Sequence, residues 1–246
     1  MKREIVKKII NWIKEEVKKA NCKGVVFGLS GGVDSSVVSV LCKKSFPKNH
    51  LALIMPCFSD KKDIRDALLI VKKFKIKYEV IKLDSVFLEF CKILNVDKNS
   101  KDIEVVNIKP RLRMTTLYHY ANKLNYLVVG TGNKSELTVG YFTKYGDGGV
   151  DILPIGDFTK TEVYQLAKFL RIPEKIINKP PSAGLWDGQT DETEMGITYK
   201  ELDEIIKAIE TGKIYSLSSM NYTKVVNMMK KNLHKISPPR IFKYEK

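Results

Sequence analysis

Val25-Val26-Phe27-Gly28-Leu29-Ser30-Gly31-Gly32-Val33-Asp34-Ser35-Ser36 is an apolar run that breaks into a Ser-Gly-Gly-x-Asp-Ser turn and then a helix-like stretch. Apart from Gly28, residues 25–29 are β-branched or bulky, as suits a strand buried on both faces of a parallel sheet. Residues 35–42 are apolar enough to be a helix packed on that sheet. Gly31 and Gly32 remove two Cβ atoms from the turn, so backbone N–H groups can approach an oligophosphate at the positive end of the helix. The stretch therefore reads as strand, phosphate loop and helix.

Working outward, strand-like runs at 25–29, 51–55, 78–83 and 126–130 alternate with amphipathic stretches at 35–44, 62–74, 84–94 and 111–124. That alternation predicts an α/β fold with a doubly wound parallel sheet. Ligands of such sheets bind beyond the carboxyl ends of the strands, so residues 30–35 and 131–136 should face one crevice. Two loops rich in aromatic and charged residues follow, at 141–149 and 180–192, and loops of that length usually serve function. The last third reads as extra helices, one opened by the capping box Thr198-x-x-Glu201 and one running through about 222–234. No repeat or composition shift divides the chain, and residues 1–246 are expected to form a single domain.

The formal charge of +15 would suit nucleic acid, a membrane surface or an anionic small molecule. Most lysines stand in pairs such as Lys7-Lys8 and Lys72-Lys73 on polar helix faces, so the surplus reads first as solvated surface. Cys22, Cys42, Cys57 and Cys91 form no CxxC pair, and His50, His119 and His234 are far apart with no HExxH. Neither a zinc site nor a disulfide framework is indicated, and isolated thiols suit a reducing cytoplasm. Ile5, Ile9, Ile13 and Val17 mark an amphipathic first helix rather than a signal segment. No apolar run approaches the ~20 residues of a membrane span.

The phosphate loop is not of the Walker type, which needs Gly-x-x-x-x-Gly-Lys-Ser/Thr. It offers Ser30, Ser35 and Ser36 as hydroxyls and Asp34 as a carboxylate, and it resembles the pyrophosphate loop of enzymes that cleave ATP between the α and β phosphates. Further motifs narrow the resemblance: Asn107-Ile108-Lys109-Pro110-Arg111-Leu112-Arg113-Met114, Gly130-Thr131-Gly132-Asn133-Lys134-Ser135-Glu136, Phe142-Thr143-Lys144-Tyr145-Gly146-Asp147-Gly148-Gly149, Pro181-Ser182-Ala183-Gly184-Leu185-Trp186 and Thr190-Asp191-Glu192. In this order, from about residue 24 to 239, they resemble the ammonia-dependent NAD synthetases, whose fold is of the adenine nucleotide alpha hydrolase type.

The resemblance implies a two-step amidation. The carboxylate of deamido-NAD attacks the α-phosphorus of ATP, pyrophosphate leaves, and ammonia then displaces AMP from the acyl adenylate. It also implies roles: ATP contacts from Gly28, Leu29, Ser30, Gly31, Gly32, Val33, Asp34, Ser35, Thr131, Lys160 and Ser182; Mg²⁺ ligation by Asp34 and Glu136; and deamido-NAD contacts from Arg111, Lys144, Asp151, His234 and Lys235. Two carboxylates with phosphate oxygens suit a hard octahedral cation. Asp34 also reads as a helix N-cap. A lysine such as Lys160 neutralises a departing pyrophosphate as a point charge, although in a first helical turn it opposes the dipole. Asp147, between glycines, reads either as the base that takes a proton from ammonium or as a turn aspartate capping its own backbone.

The family resemblance further implies a homodimer with the dinucleotide at its interface and no partnership with nucleic acid or membrane. The 23 residues before Gly24 are too few for a glutaminase domain, so free ammonia, or ammonia delivered by another protein, is the expected nitrogen source. Departures are local. Many members carry Asp-His-Ala-Ala before the glutamate where this chain has Gly130 to Ser135, and residues 56–63 replace a common Gly-x-Gln loop. A tRNA-modifying pyrophosphate-loop enzyme, an amidating enzyme acting on xanthosine monophosphate and a non-catalytic ATP sensor share the loop but leave the later motifs unexplained.

Overall fold

The computed structural model describes residues 2–186, 188–213 and 219–244; one residue of the second expected loop, Asp187, lies outside them. After helix α1 (Lys2–Lys19), strands β1 (Gly24–Gly28), β2 (His50–Ile54), β3 (Tyr78–Val80) and β4 (Tyr126–Val129) alternate with α2 (Val33–Ser45), α3 (Lys61–Phe74), and the run α4 (Asp84–Ile93), α5 (Ile103–Val106) and α6 (Ile108–Leu124). The four strands form one parallel sheet in the order β3-β2-β1-β4. Val25 pairs with His50 on one side and Leu127 on the other. The strand order reverses direction at β1, between β2 and β4, which is the switch point where a crevice opens.

Period-two burial sorts the strands onto two cores. Val25, Phe27, Ala52, Ile54, Leu127 and Val129 pack against α1, α2 and α3, while Val26, Leu51, Leu53 and Val128 face α4 and α6. Both faces are apolar, which is why these strands read as continuous hydrophobic runs. In α1 the buried stripe is Val6, Ile9, Ile13 and Val17, with Ile5 at its margin.

After β4 the chain adds α7 (Lys134–Val139), α8 (Lys160–Phe169), α9 (Glu174–Ile177), α10 (Asp191–Met195), α11 (Tyr199–Thr211) and α12 (Ser219–Ile236). A third core of Val139, Met195, Ile197, Leu202, Ile206 and Val225 joins α7, α10, α11 and α12 over the crevice. The short helices α7, α9 and α10 carry too few residues for a hydrophobic period to mark them in sequence. Close approach fixes Gly130, where a Cβ would lie 2.6 Å from a Val150 side-chain carbon as the chain crosses the end of β4. Among the described residues no helix is long and apolar enough to cross a membrane.

Candidate active site

β1 ends at Gly28, and the next residues turn directly into α2. The helix is capped by Gly32 in extended conformation, with no side chain accepting from its first N–H groups. Those donors and the positive helix end are left to an anion. The hydroxyls of Ser30 and Ser35 lie 3.0 Å apart, the Ser30 amide donates to Ser35 Oγ at 3.3 Å, and Ser36 Oγ donates to the Gly32 carbonyl at 2.7 Å. The loop is thus shaped by its own hydroxyls. Gly31 stands at φ +85°, and a Cβ there would come within 2.5 Å of the Asp63 carbonyl oxygen in α3, so only glycine fits the turn that shapes the loop. Asp34 corrects an expectation, because the N-cap is Gly32 and its own carboxylate is free to face inward.

That carboxylate meets Lys160. Lys160 Nζ lies 2.6 Å from Asp34 Oδ2 and 3.1 Å from Glu136 Oε1, and its side chain is only 2% exposed. The two carboxylates come from the N-terminal turns of α2 and α7, and the ammonium from the first turn of α8. Burial alone would lower Lys160, but Asp34 and Glu136 outweigh it and hold the ammonium above its ordinary value. Burial pushes the Glu136 carboxyl up to about 7, against the pull of Lys160 and with the help of the Asp34 charge. Asn133, fully buried, ties the pair together: it caps α7 in a reciprocal box with Glu136 and donates to Asp34 Oδ1 at 3.0 Å.

A second tier closes the far side. Tyr199 OH bonds Glu136 Oε1 at 3.3 Å and Asp191 Oδ2 at 3.0 Å, and Lys160 Nζ stands 4.7 Å from the Tyr199 ring centre. Tyr141 OH donates to Glu194 Oε2 at 2.7 Å, and Gln189 Nε2 donates to the same oxygen, also at 2.7 Å. Lys109, 7% exposed, donates to the Leu185 carbonyl at 2.6 Å. The Lys109 and Glu194 bonds hold Leu185 and Gln189 over the site.

The cleft so enclosed has a volume of about 940 Å³, within the size range of small-molecule sites. Gly28, Leu29, Ser30, Gly32, Val33, Asp34, Ser35, Thr131, Glu136, Asp147, Lys160, Ser182 and Lys235 line it. Asp147 Oδ1 accepts from the Thr143 amide at 2.9 Å, so it caps its turn as well as facing the cleft. The surrounding protein raises its carboxyl, moderated by that amide.

Of the expected dinucleotide residues only Lys235 lines this cleft. Arg111, Lys144, Asp151 and His234 lie outside the cleft of the single chain. Asp151 is engaged internally, one oxygen accepting from Tyr118 OH and the other from the Val128 amide, both at 2.8 Å. Lys144 Nζ holds the His234 carbonyl at 2.6 Å, and Lys235 Nζ reaches the carbonyls of Gly140 and Phe142 at 2.7 and 3.0 Å.

Arg113, which sequence reasoning passed over for Arg111, does enter the cleft, with Nε donating to the Met55 carbonyl at 3.1 Å. Two positions along a helix turn a side chain to another face, so the motif alone does not decide between them. Asn133 was legible as the N-x-x-E capping pattern before Glu136.

The NAD synthase family model matches residues 5–239. The NH(3)-dependent NAD(+) synthetase of Carboxydothermus hydrogenoformans is 49% identical over 240 residues, covering 97% of this chain and 96% of that protein. The structure of NMN synthetase from Francisella tularensis superposes with a TM-score of 0.91 at 35% identity, covering 99% of both chains. The NH3-dependent NAD synthetase from Campylobacter jejuni, in complex with the nitrate ion, gives 0.85 at 35% identity, covering 99% of this chain and all of that one. With the pyrophosphate-type loop, the three-residue charge cluster and a match over nearly its whole length, this chain belongs to the NAD synthase family.

Proposed function

We propose that this protein is a ligase that amidates deamido-NAD with ammonia, forming AMP and pyrophosphate. The observation that carries this reading is the convergence on one cleft of a helix N-terminus without a side-chain cap and the Asp34–Lys160–Glu136 cluster, in a chain matched over nearly its whole length by an ammonia-dependent relative. The N–H groups of α2 hold the outer phosphates of ATP. Lys160 neutralises charge that develops on the departing pyrophosphate when the nicotinate carboxylate attacks the α-phosphorus and the α–β bridging bond breaks. The 180–190 segment keeps water from the acyl adenylate. Ammonia then attacks the acyl carbon, the bond to AMP breaks, and Asp147 at the cleft wall accepts the proton that ammonium must lose.

Mg²⁺ fits Asp34 and Glu136, because two hard oxygen donors converge there on a point that already stabilises positive charge. When bound it would supply further charge neutralisation at the triphosphate. Among the described residues no group of three or more His, Cys, Asp or Glu could hold a metal, so phosphate oxygens and water would complete its shell.

Exposed apolar side chains support a homodimer. Val86, Leu88, Phe90 and Ile93 on α4, with Leu94, Ile103 and Val80 nearby in the chain, are all exposed, and an apolar surface of this kind on one side of a sheet marks a protein interface. The four free thiols, three of them buried, accord with a cytoplasmic setting.

The similarity to a structure named NMN synthetase favours a second reading, in which the acid is the mononucleotide. Purified protein with ATP and Mg²⁺ is given deamido-NAD or nicotinic acid mononucleotide, with ammonium or ammonia-free glutamine. The proposal expects the dinucleotide and ammonium to support turnover. Faster amidation of the mononucleotide, or equal rates with glutamine, overturns it.

A further inference from the structure

We infer that Asp203, on α11, is a positioning residue that sets Lys160 and Glu136 in register for the reaction. It rests on the reading of Lys160 as the cation at the triphosphate. Asp203 is 7% exposed, and among the described residues no cation pairs with it. Its carboxylate is spent instead on the starts of two helices. Oδ1 accepts from Ser135 Oγ, and Oδ2 accepts from the Thr161 amide at 2.8 Å. Ser135 Oγ in turn accepts from the Lys160 amide at 2.9 Å.

The residues held are the immediate neighbours of the working pair. Ser135 precedes Glu136 in α7, and Thr161 follows Lys160 in α8. One carboxylate therefore fixes the backbone on either side of a 3.1 Å contact between helices that are separate in the chain. A helix start needs no such arrangement: Thr159 already caps α8 through the Glu162 amide, in a reciprocal box. Drawing the Lys160 and Thr161 amides to groups on α7 and α11 adds a link between elements rather than a missing cap.

α11 is built for this. Tyr199 lies one turn before Asp203, on the same face, and its hydroxyl reaches Glu136 Oε1. Glu210, two turns beyond Asp203, takes Lys134 Nζ at 2.9 Å. Three residues along one stripe of α11 thus grip α7, and the middle one also grips α8. The negative charge of Asp203 at the first turn of α8 further offsets the unfavourable placement of Lys160 there.

The test uses the whole chain with Asp203→Asn, Ser135→Ala and the double variant. Asn keeps the shape and an acceptor for Thr161 but loses the charge and sets an NH₂ against Ser135. Each single variant is expected to lower kcat by about 10-fold, inside the range that a 1 Å misplacement costs, with KM for ATP nearly unchanged. The double variant is expected to be no worse than the lower single, since both break one relay. Hydrogen exchange at the first turn of α8 should rise in both singles. Wild-type kcat in Asp203→Asn, or losses that multiply in the double, overturns the inference. If Asp203→Asn does not fold, Ser135→Ala decides by its kcat and exchange. Lys160→Met at full activity would instead remove the reading of Lys160 on which the inference stands.

Discussion

Lys160→Met keeps the length of the side chain and removes its charge from between two carboxylates. At an effective dielectric of about 20, contacts of 2.6 and 3.1 Å represent gross attractions of about 6 and 5 kcal/mol. Desolvation of three groups offsets most of this, and breaking a buried pair typically costs ~3–5 kcal/mol net. In a domain of this size that is a fall in Tm of roughly 6–20 °C. Removing the ammonium also leaves Asp34 and Glu136 as a paired negative site, so Mg²⁺ without nucleotide should recover part of the lost Tm, more than it adds to the wild type. Activity should not recover, because the ammonium read as neutralising the pyrophosphate is gone; loss of one such donor costs about 10²–10³ in rate. Thermal melts with and without Mg²⁺, run beside a pyrophosphate-release assay, test both halves. A variant with wild-type Tm, or one whose Mg²⁺ response equals the wild type, would refute the account of the cluster.

Asp147→Asn should still release pyrophosphate but stall before the amide, since removing a general base costs ~10²–10⁴-fold; hydroxylamine should trap the adenylate, and equal loss of both steps removes Asp147 as base. His50 is buried, with Nδ1 on the Phe46 carbonyl and Nε2 accepting from the Lys77 amide, and burial holds it below its ordinary value. Folded chains then bind fewer protons than unfolded ones, so stability should fall as pH drops below about 6.5, by at most ~1.4 kcal/mol per unit. Urea titrations at pH 7.5 and 5.5 would detect it, and His50→Gln should flatten the difference. Phe90→Asp with Ile93→Asp should shift sedimentation from dimer to monomer; a monomeric wild type rules out the α4 interface.

What the chain reveals by inspection depends on how local the cause is. The strand, loop and helix from Val25 onward are legible because burial on two faces, paired glycines and a helix start all act within a dozen residues. Lys160 and Glu136 are legible only through family motifs, for nothing in their own surroundings announces that they meet. Asp203 is not legible at all, since a lone aspartate in an amphipathic helix looks solvated until α7 and α8 fold over it. Arg111 and Arg113 both lie in α6, which begins at Ile108, ahead of the expected 111; two positions apart they point to different faces, and only the packing of the helix decides which one meets the cleft. Asp147 caps its turn through the Thr143 amide, one of the two readings its place between glycines offered, and it also lines the cleft.

The register of β1 has a bearing on synthesis. Val25 sits between His50 and Leu127, so the strand carrying the phosphate loop gains its second neighbour only after about 100 further residues have been made. Such distant pairing is slow, and unpaired strand edges invite aggregation while it waits.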